Sequence, residues 1–111
     1  MKLDITKELQ TFQNVCDTIT KYFKDDVIFQ NIVSEYSEYF KTICNSLEDN
    51  FNPKERNVII KKIKEIHSKL ITKLNGFSVL IIHNNFEIND IIEVIQIARL
   101  QIEGLFSHDS F

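Results

Sequence analysis

The chain has 111 residues, 43% of them hydrophobic and 26% charged, with a net charge of −3. That length supports one hydrophobic core and excludes two, and that balance excludes the low-hydrophobicity, high-charge composition of chains that stay disordered. Two Gly and one Pro are too few for the closely spaced turns of a sandwich or barrel, so the composition predicts one all-α domain over residues 1–111.

From the N-terminus, apolar residues recur at Ile5, Leu9, Phe12, Cys16, Ile19 and Phe23. Their spacing of four and three residues is that of one helix face. Asp25 and Asp26 mark a break and offer a cap for the next helix, which repeats the pattern at Phe29, Val33, Tyr36, Phe40, Ile43 and Leu47. The short connection predicts that these two helices are antiparallel.

The stretch NFNPKERN then carries a helix start. Asn52 is placed as N-cap, Pro53 at the first helical position where its missing N–H costs nothing, and Glu55 where a capping box has its acid. The third helix turns Ile59, Ile63, Ile66, Leu70 and Leu74 inward and Lys54, Lys61, Lys64 and Lys69 outward.

The stretch LNGFSVLIIHNN, residues 74–85, contains an Asn-Gly turn signal followed by a strand-like apolar run. Helical register decides between the readings: Leu70, Leu74, Phe77 and Ile81 continue the four-three-four spacing, and no second strand-like run exists to pair with a strand here. A glycine inside a helix costs only about 1 kcal/mol relative to Ala. The expectation is one helix over 53 to about 83, with a kink at Asn75-Gly76 as one form of it, or a stop at Gly76 and a separate short helix as the alternative; Asn84 and Asn85 close the segment. The fourth helix is expected from Asn89 or Asp90, with Glu93 completing its cap, to about Gly104; its inward stripe is Ile91, Ile95, Ala98, Ile102 and Leu105, and 106–111 are expected to fray. The architecture is an antiparallel four-helix bundle.

Charge is uneven along the chain. Residues 1–52 carry nine acidic and five basic side chains, 53–74 carry two and seven, and 75–111 carry five and one, giving −4, +5 and −4. The basic helix offers Lys54, Arg56, Lys61, Lys62, Lys64, Lys69 and Lys73 to phosphates or to an anionic membrane surface, but acidic neighbours oppose nucleic acid and the apolar stripe is needed for the core. Nucleic acid is therefore the weaker reading, peripheral membrane contact stays open, and solvated or loosely paired charge is the plain one. Asp4 and Glu8 interrupt any secretory apolar region and no apolar run is long enough to span a bilayer, so a cytoplasmic location without a transmembrane segment is expected.

No arrangement of residues predicts catalysis, a metal or an organic cofactor. Cys16 and Cys44 lie within apolar helical patterns and read as buried free thiols. Glu65 and His67 sit two apart, on different helix faces, so His67 reads as a residue at the core boundary; His83 and His108 have no ligand-like spacing either. Paired acids at 25–26 and 48–49 fall at helix ends, and Glu35 and Glu38 beside Tyr36 and Tyr39 read as a solvated patch. There is no phosphate loop, nucleophile elbow or Cys-His pair.

What the pattern does leave over is apolar surface. Val79, Ile82, Ile97 and Leu100 fall off the inward stripes, with Arg99 and Glu103 beside them, and these six residues are the candidate contact surface for another protein or a second copy of the chain. In length and helical layout the chain resembles the four-helix immunity proteins that bacteria make against their own bacteriocins; the likeness is one of layout, with no motif matched residue by residue. A small acidic bundle without catalytic residues is expected to work by presenting a surface, as a non-catalytic inhibitor, immunity or adaptor protein. The other expectations are a homo-oligomeric structural or regulatory bundle and a small nucleic-acid-binding regulator using helix 53–74.

Overall fold

A computed structural model describes residues 4–24, 26–50, 52–81 and 87–106, with residue 50 described by its backbone only. The described residues form four helices and no strand: α1 (Thr6–Thr20), α2 (Val27–Asn50), α3 (Pro53–Leu80) and α4 (Ile88–Gly104). The fold is a four-helix bundle.

Local chemistry sets most of the helix starts. Asp4 Oδ1 accepts the Thr6 N–H at 3.0 Å, and this bond to the Thr6 backbone, seconded by the threonine side chain, holds the Asp4 carboxyl below its usual range. Asp26 Oδ1 accepts the Phe29 N–H at 2.8 Å and Asn52 Oδ1 the Glu55 N–H at 2.9 Å, so the expected caps of α2 and α3 form. The fourth start differs from expectation. α4 begins at Ile88 behind an extended Glu87 that makes no side-chain cap, which leaves Asp90 inside the first turn, where a carboxylate meets the positive end of the helix dipole. The Asp90 to Glu93 cap is therefore replaced by charge on the first turn.

Residues 75 and 76 lie within α3, which runs without a break to Leu80; Asn84, Asn85 and the expected helix end near residue 83 lie outside the described residues. α1, in contrast, stops three residues before Phe23, which is carried in the following turn with its N–H on the Ile19 carbonyl. Asp25 and the tail from 107 also lie outside the described residues.

The interfaces show how the bundle is wired. Glu8 and Thr11 on α1 meet Lys64, His67 and Ser68 on α3 in rising order, so α1 and α3 run parallel. Glu35 on α2 meets Arg99 on α4, and Tyr39 lies beside Arg99 and Glu103, so α2 and α4 also run parallel. Sequence-adjacent helices are antiparallel, yet the extensive interfaces are α1–α3, α3–α4 and α2–α4; the α1–α2 and α2–α3 backbones approach less, and among the described residues no Cα of α1 comes within 8 Å of one in α4. The turn after α1, the start of α2, the end of α3 and the start of α4 consequently share one end of the bundle.

The core holds Phe12, Val15, Cys16 and Ile19 of α1, Phe29, Val33, Tyr36, Phe40, Cys44 and Leu47 of α2, Ile63, Leu70 and Leu74 of α3, and Ile91, Ile92, Ile95, Ala98 and Ile102 of α4. Ile43, Ile59, Ile66, Phe77, Ile81 and Leu105, expected inward, are half-buried at its margin. On α2 the neighbouring Cys44 takes the fully buried place instead of Ile43, and on α3 the innermost line is Ile63, His67, Leu70 and Leu74.

Candidate functional site

His67 is the one buried polar side chain among the described residues, 3% exposed, and the boundary position expected for it is corrected. Its ring lies among those of Phe12, Tyr36 and Phe40, with centroids 6.1, 5.9 and 4.7 Å away. Nε2 lies 3.0 Å from the Glu8 carbonyl oxygen, an acceptor only, so Nε2 carries the proton and donates it. Nδ1 is then the acceptor, and the Tyr36 hydroxyl donates to it at 2.8 Å. One imidazole on α3 thus ties α1 to α2.

Burial dominates the chemistry of this cluster. It pushes the His67 pKa down, with the Glu8 carbonyl bond and the Glu8 charge opposing less strongly, and it pushes the Tyr36 phenol up. A phenol that holds its proton and an imidazole with both nitrogens engaged make a structural bridge; neither is activated as nucleophile or base. The thiols are held similarly. Cys16 is pushed up to about 12 and Cys44 to about 11, in both cases chiefly by burial, and both are free.

Beside His67 an open groove of about 320 Å³ runs between α1 and α3, lined by Lys7, Glu8, Thr11, Lys64, Ser68 and Ile71 as well. Lys64 reaches across it to Glu8 at 3.3 Å. Of the expected basic face, Lys64 is therefore turned toward α1, while Lys54, Lys61 and Lys69 are exposed and make no ion pair among the described residues. No group of three or more His, Cys, Asp or Glu among the described residues is placed to hold a metal.

The six candidate contact residues separate into distinct places. Val79 is 69% exposed in the last turn of α3, at the end of the bundle. Ile97 and Leu100, 42% and 63% exposed, lie on α4, about 14 and 18 Å along its axis from its first residue at the helical rise of about 1.5 Å. Arg99 is turned to α2: its guanidinium sits 4.9 Å from the Tyr39 ring centroid, bonds Glu103 at 3.2 Å and lies 3.9 Å from Glu35. Tyr39 is pushed up by partial burial and then by Glu103. Arg99 and Glu103 therefore lie on the α2 side of α4; Ile82 falls outside the described residues. Three features of the surface had no place in the sequence reading: Leu80, exposed beside Val79, the exposed trio Tyr22, Val27 and Ile28, and Val58, exposed on α3.

Comparison with protein-family models, with curated proteins and with solved structures finds no match to this chain. No described helix is long and apolar enough to cross a membrane.

Proposed function

We propose that the chain is a cytoplasmic, non-catalytic binding protein of the inhibitor, immunity or adaptor type, working through helix faces against another protein. The observation that carries this reading is the outer face of α4, where Ile97 and Leu100 stand exposed although every inward position of the helix is already filled by Ile91, Ile92, Ile95, Ala98 and Ile102. Neither side chain contributes to the core, and exposed aliphatic surface between polar neighbours is what a contact site presents. Gln96 and Gln101 are exposed beside them, and the Arg99–Glu103 pair supplies an ordered polar edge.

The test is affinity capture from the native host with the wild-type chain and with Ile97→Ser/Leu100→Ser. A protein retained by the wild type and lost by a variant of unchanged helical circular dichroism supports the reading. Retention unchanged by the substitutions removes α4 as the contact face, and salt-sensitive retention on heparin that depends on Lys54, Lys61 and Lys69 would move the function to α3 and nucleic acid.

A further inference from the structure

His67 is buried where three helices meet, and its two hydrogen bonds fit only the neutral ring. Nε2–H donates to the Glu8 carbonyl of α1, and Nδ1 accepts the Tyr36 hydroxyl of α2. A proton added at Nδ1 turns that acceptor into a donor, so the Tyr36 hydroxyl must turn its own hydrogen elsewhere, and the rings of Phe12 and Phe40 around the pair offer no oxygen or nitrogen to receive it. The added charge is also shut away from water.

The groups that face the ring leave this conflict in place. Glu8 of α1 favours the charged ring less than burial disfavours it, and its carboxylate is paired with Lys64 of α3 at 3.3 Å. Lys7 of α1 lies in the lining of the same groove and is exposed. The thiols of Cys16 on α1 and Cys44 on α2, beside Tyr36, are pushed up to about 12 and about 11 and keep their protons, and α4 gives the core only isoleucines and Ala98. His67 is the side chain of this cluster that ordinarily titrates between neutrality and mild acid.

The open groove between α1 and α3 brings solvent up to His67, which forms part of its wall, so widening this seam hydrates the ring. Of the three helices that hold the ring, α1 is tied least. α3 packs on all the others, and α2 has a broad interface with α4 reinforced by Glu35 and Arg99, whereas α1 has one broad interface and its described backbone does not approach α4.

We propose that α1 is an acid-released arm of the bundle: protonation of His67 opens the α1–α3 seam and frees α1 while α2, α3 and α4 stay packed. The open form is a minor population, because Phe12, Val15, Cys16 and Ile19 leave the core with α1. Acid raises its weight. The hydrated ring titrates at its ordinary 6.5 and the closed ring below that, so the opening constant is flat above pH 6.5 and rises by up to about tenfold per pH unit below it, until the closed ring itself takes the proton. The outer face of α4 is unchanged by this opening, so the two readings fail separately.

The experiment is amide hydrogen exchange of the full chain from about pH 7.5 to about pH 5, each rate divided by the intrinsic rate at that pH. The central amides of α1 should be at least several-fold less protected than those of α4, and their protection should fall by up to about tenfold per pH unit below 6.5. In His67→Leu it should stay flat. Tyr36→Phe removes the bond that favours the neutral ring and should shrink the acid response, which decides the matter if His67→Leu does not fold. Glu8→Gln keeps the backbone carbonyl and should keep the response. Equal protection of α1 and α4 throughout, which is a single global opening, overturns the proposal. So does α1 protection indifferent to acid, or an acid response that survives unchanged in His67→Leu and Tyr36→Phe or vanishes in Glu8→Gln.

Discussion

The inner surface of α4 and the centre shared by α1, α2 and α3 fill the same core with different chemistry. α4 contributes only aliphatic side chains, four isoleucines and Ala98, whereas the other three helices meet around Phe12, Tyr36, Phe40 and the hydrogen-bonded His67. Aliphatic burial is strong and undirected, so α4 is oriented by which of its faces is apolar, with Glu93, Gln96 and Gln101 exposed on the others. The imidazole is satisfied in one arrangement only, because both its nitrogens must find Glu8 and Tyr36 at once. Area holds α4 in place, and geometry sets the register of the other three.

The largest effect that tests this contrast is Ile95→Ala, at 1% exposure in the centre of the α4 face. It should cost about 2–5 kcal/mol in urea unfolding, as a buried aliphatic truncation does; a loss well under 1 kcal/mol would mean that α4 is not held by its stripe. Next is Tyr36→Phe, which leaves Nδ1 of His67 buried without a donor and should cost about 1–3 kcal/mol. Adding His67→Leu to Tyr36→Phe should recover part of that loss, since it removes the unsatisfied Nδ1 and costs only the Nε2–H donated to the Glu8 carbonyl, a backbone acceptor within α1. Additive losses in the double variant would show that the bridge carries no coupling.

The third test uses acid. The pKa of His67 is lower in the folded protein than its ordinary 6.5, chiefly through burial, so below that value the unfolded chain takes up the proton first. Stability from the neutral imidazole is present above pH 6.5 and is lost as pH falls from there through the folded pKa. Denaturation midpoints measured across that window should drop for the wild type and stay flatter for His67→Leu. The smallest effect belongs to the α2–α4 seam: Arg99→Ala should cost below about 1 kcal/mol, because both of its carboxylate partners are largely solvated and the Tyr39 stacking is at the surface.

Much of the fold was legible in the residue pattern, because four-and-three spacing reports directly which side of a helix meets the core. The stripes from Phe12 to Ile19, from Phe29 to Leu47 and from Ile91 to Ile102 needed nothing more. His67 was missed because hydropathy places histidine with polar residues, although it stands four after Ile63 and three before Leu70, squarely on the innermost line of α3. A lone tyrosine on the inward stripe of α2 was the other half of that signal. The neighbour relations were illegible for a different reason: a short connection makes two helices antiparallel but leaves open whether they share their main interface, and here α1 packs chiefly on α3. Val79, Ile97 and Leu100 stand exposed where the pattern leaves them over, but their separation into an end and a side depends on that packing.

The parallel pairing of α1 with α3 has a consequence in time. α1 can find only a thin contact with α2, so a nascent chain that has emerged through residue 50 has two helices and little to hold them together. Short amphipathic helices of this length are marginal alone. α3, which touches all three others, must be formed before α1 has a surface to dock on, and the loop that brings Glu8 to His67 spans 59 residues. The α1–α3 contact is thus non-local in sequence, and higher contact order predicts slower folding than in a bundle whose sequence neighbours share every main interface, to be measured as the refolding rate in stopped-flow. The main surface that α1 packs on in the finished fold is therefore supplied by residues that follow it by more than forty positions.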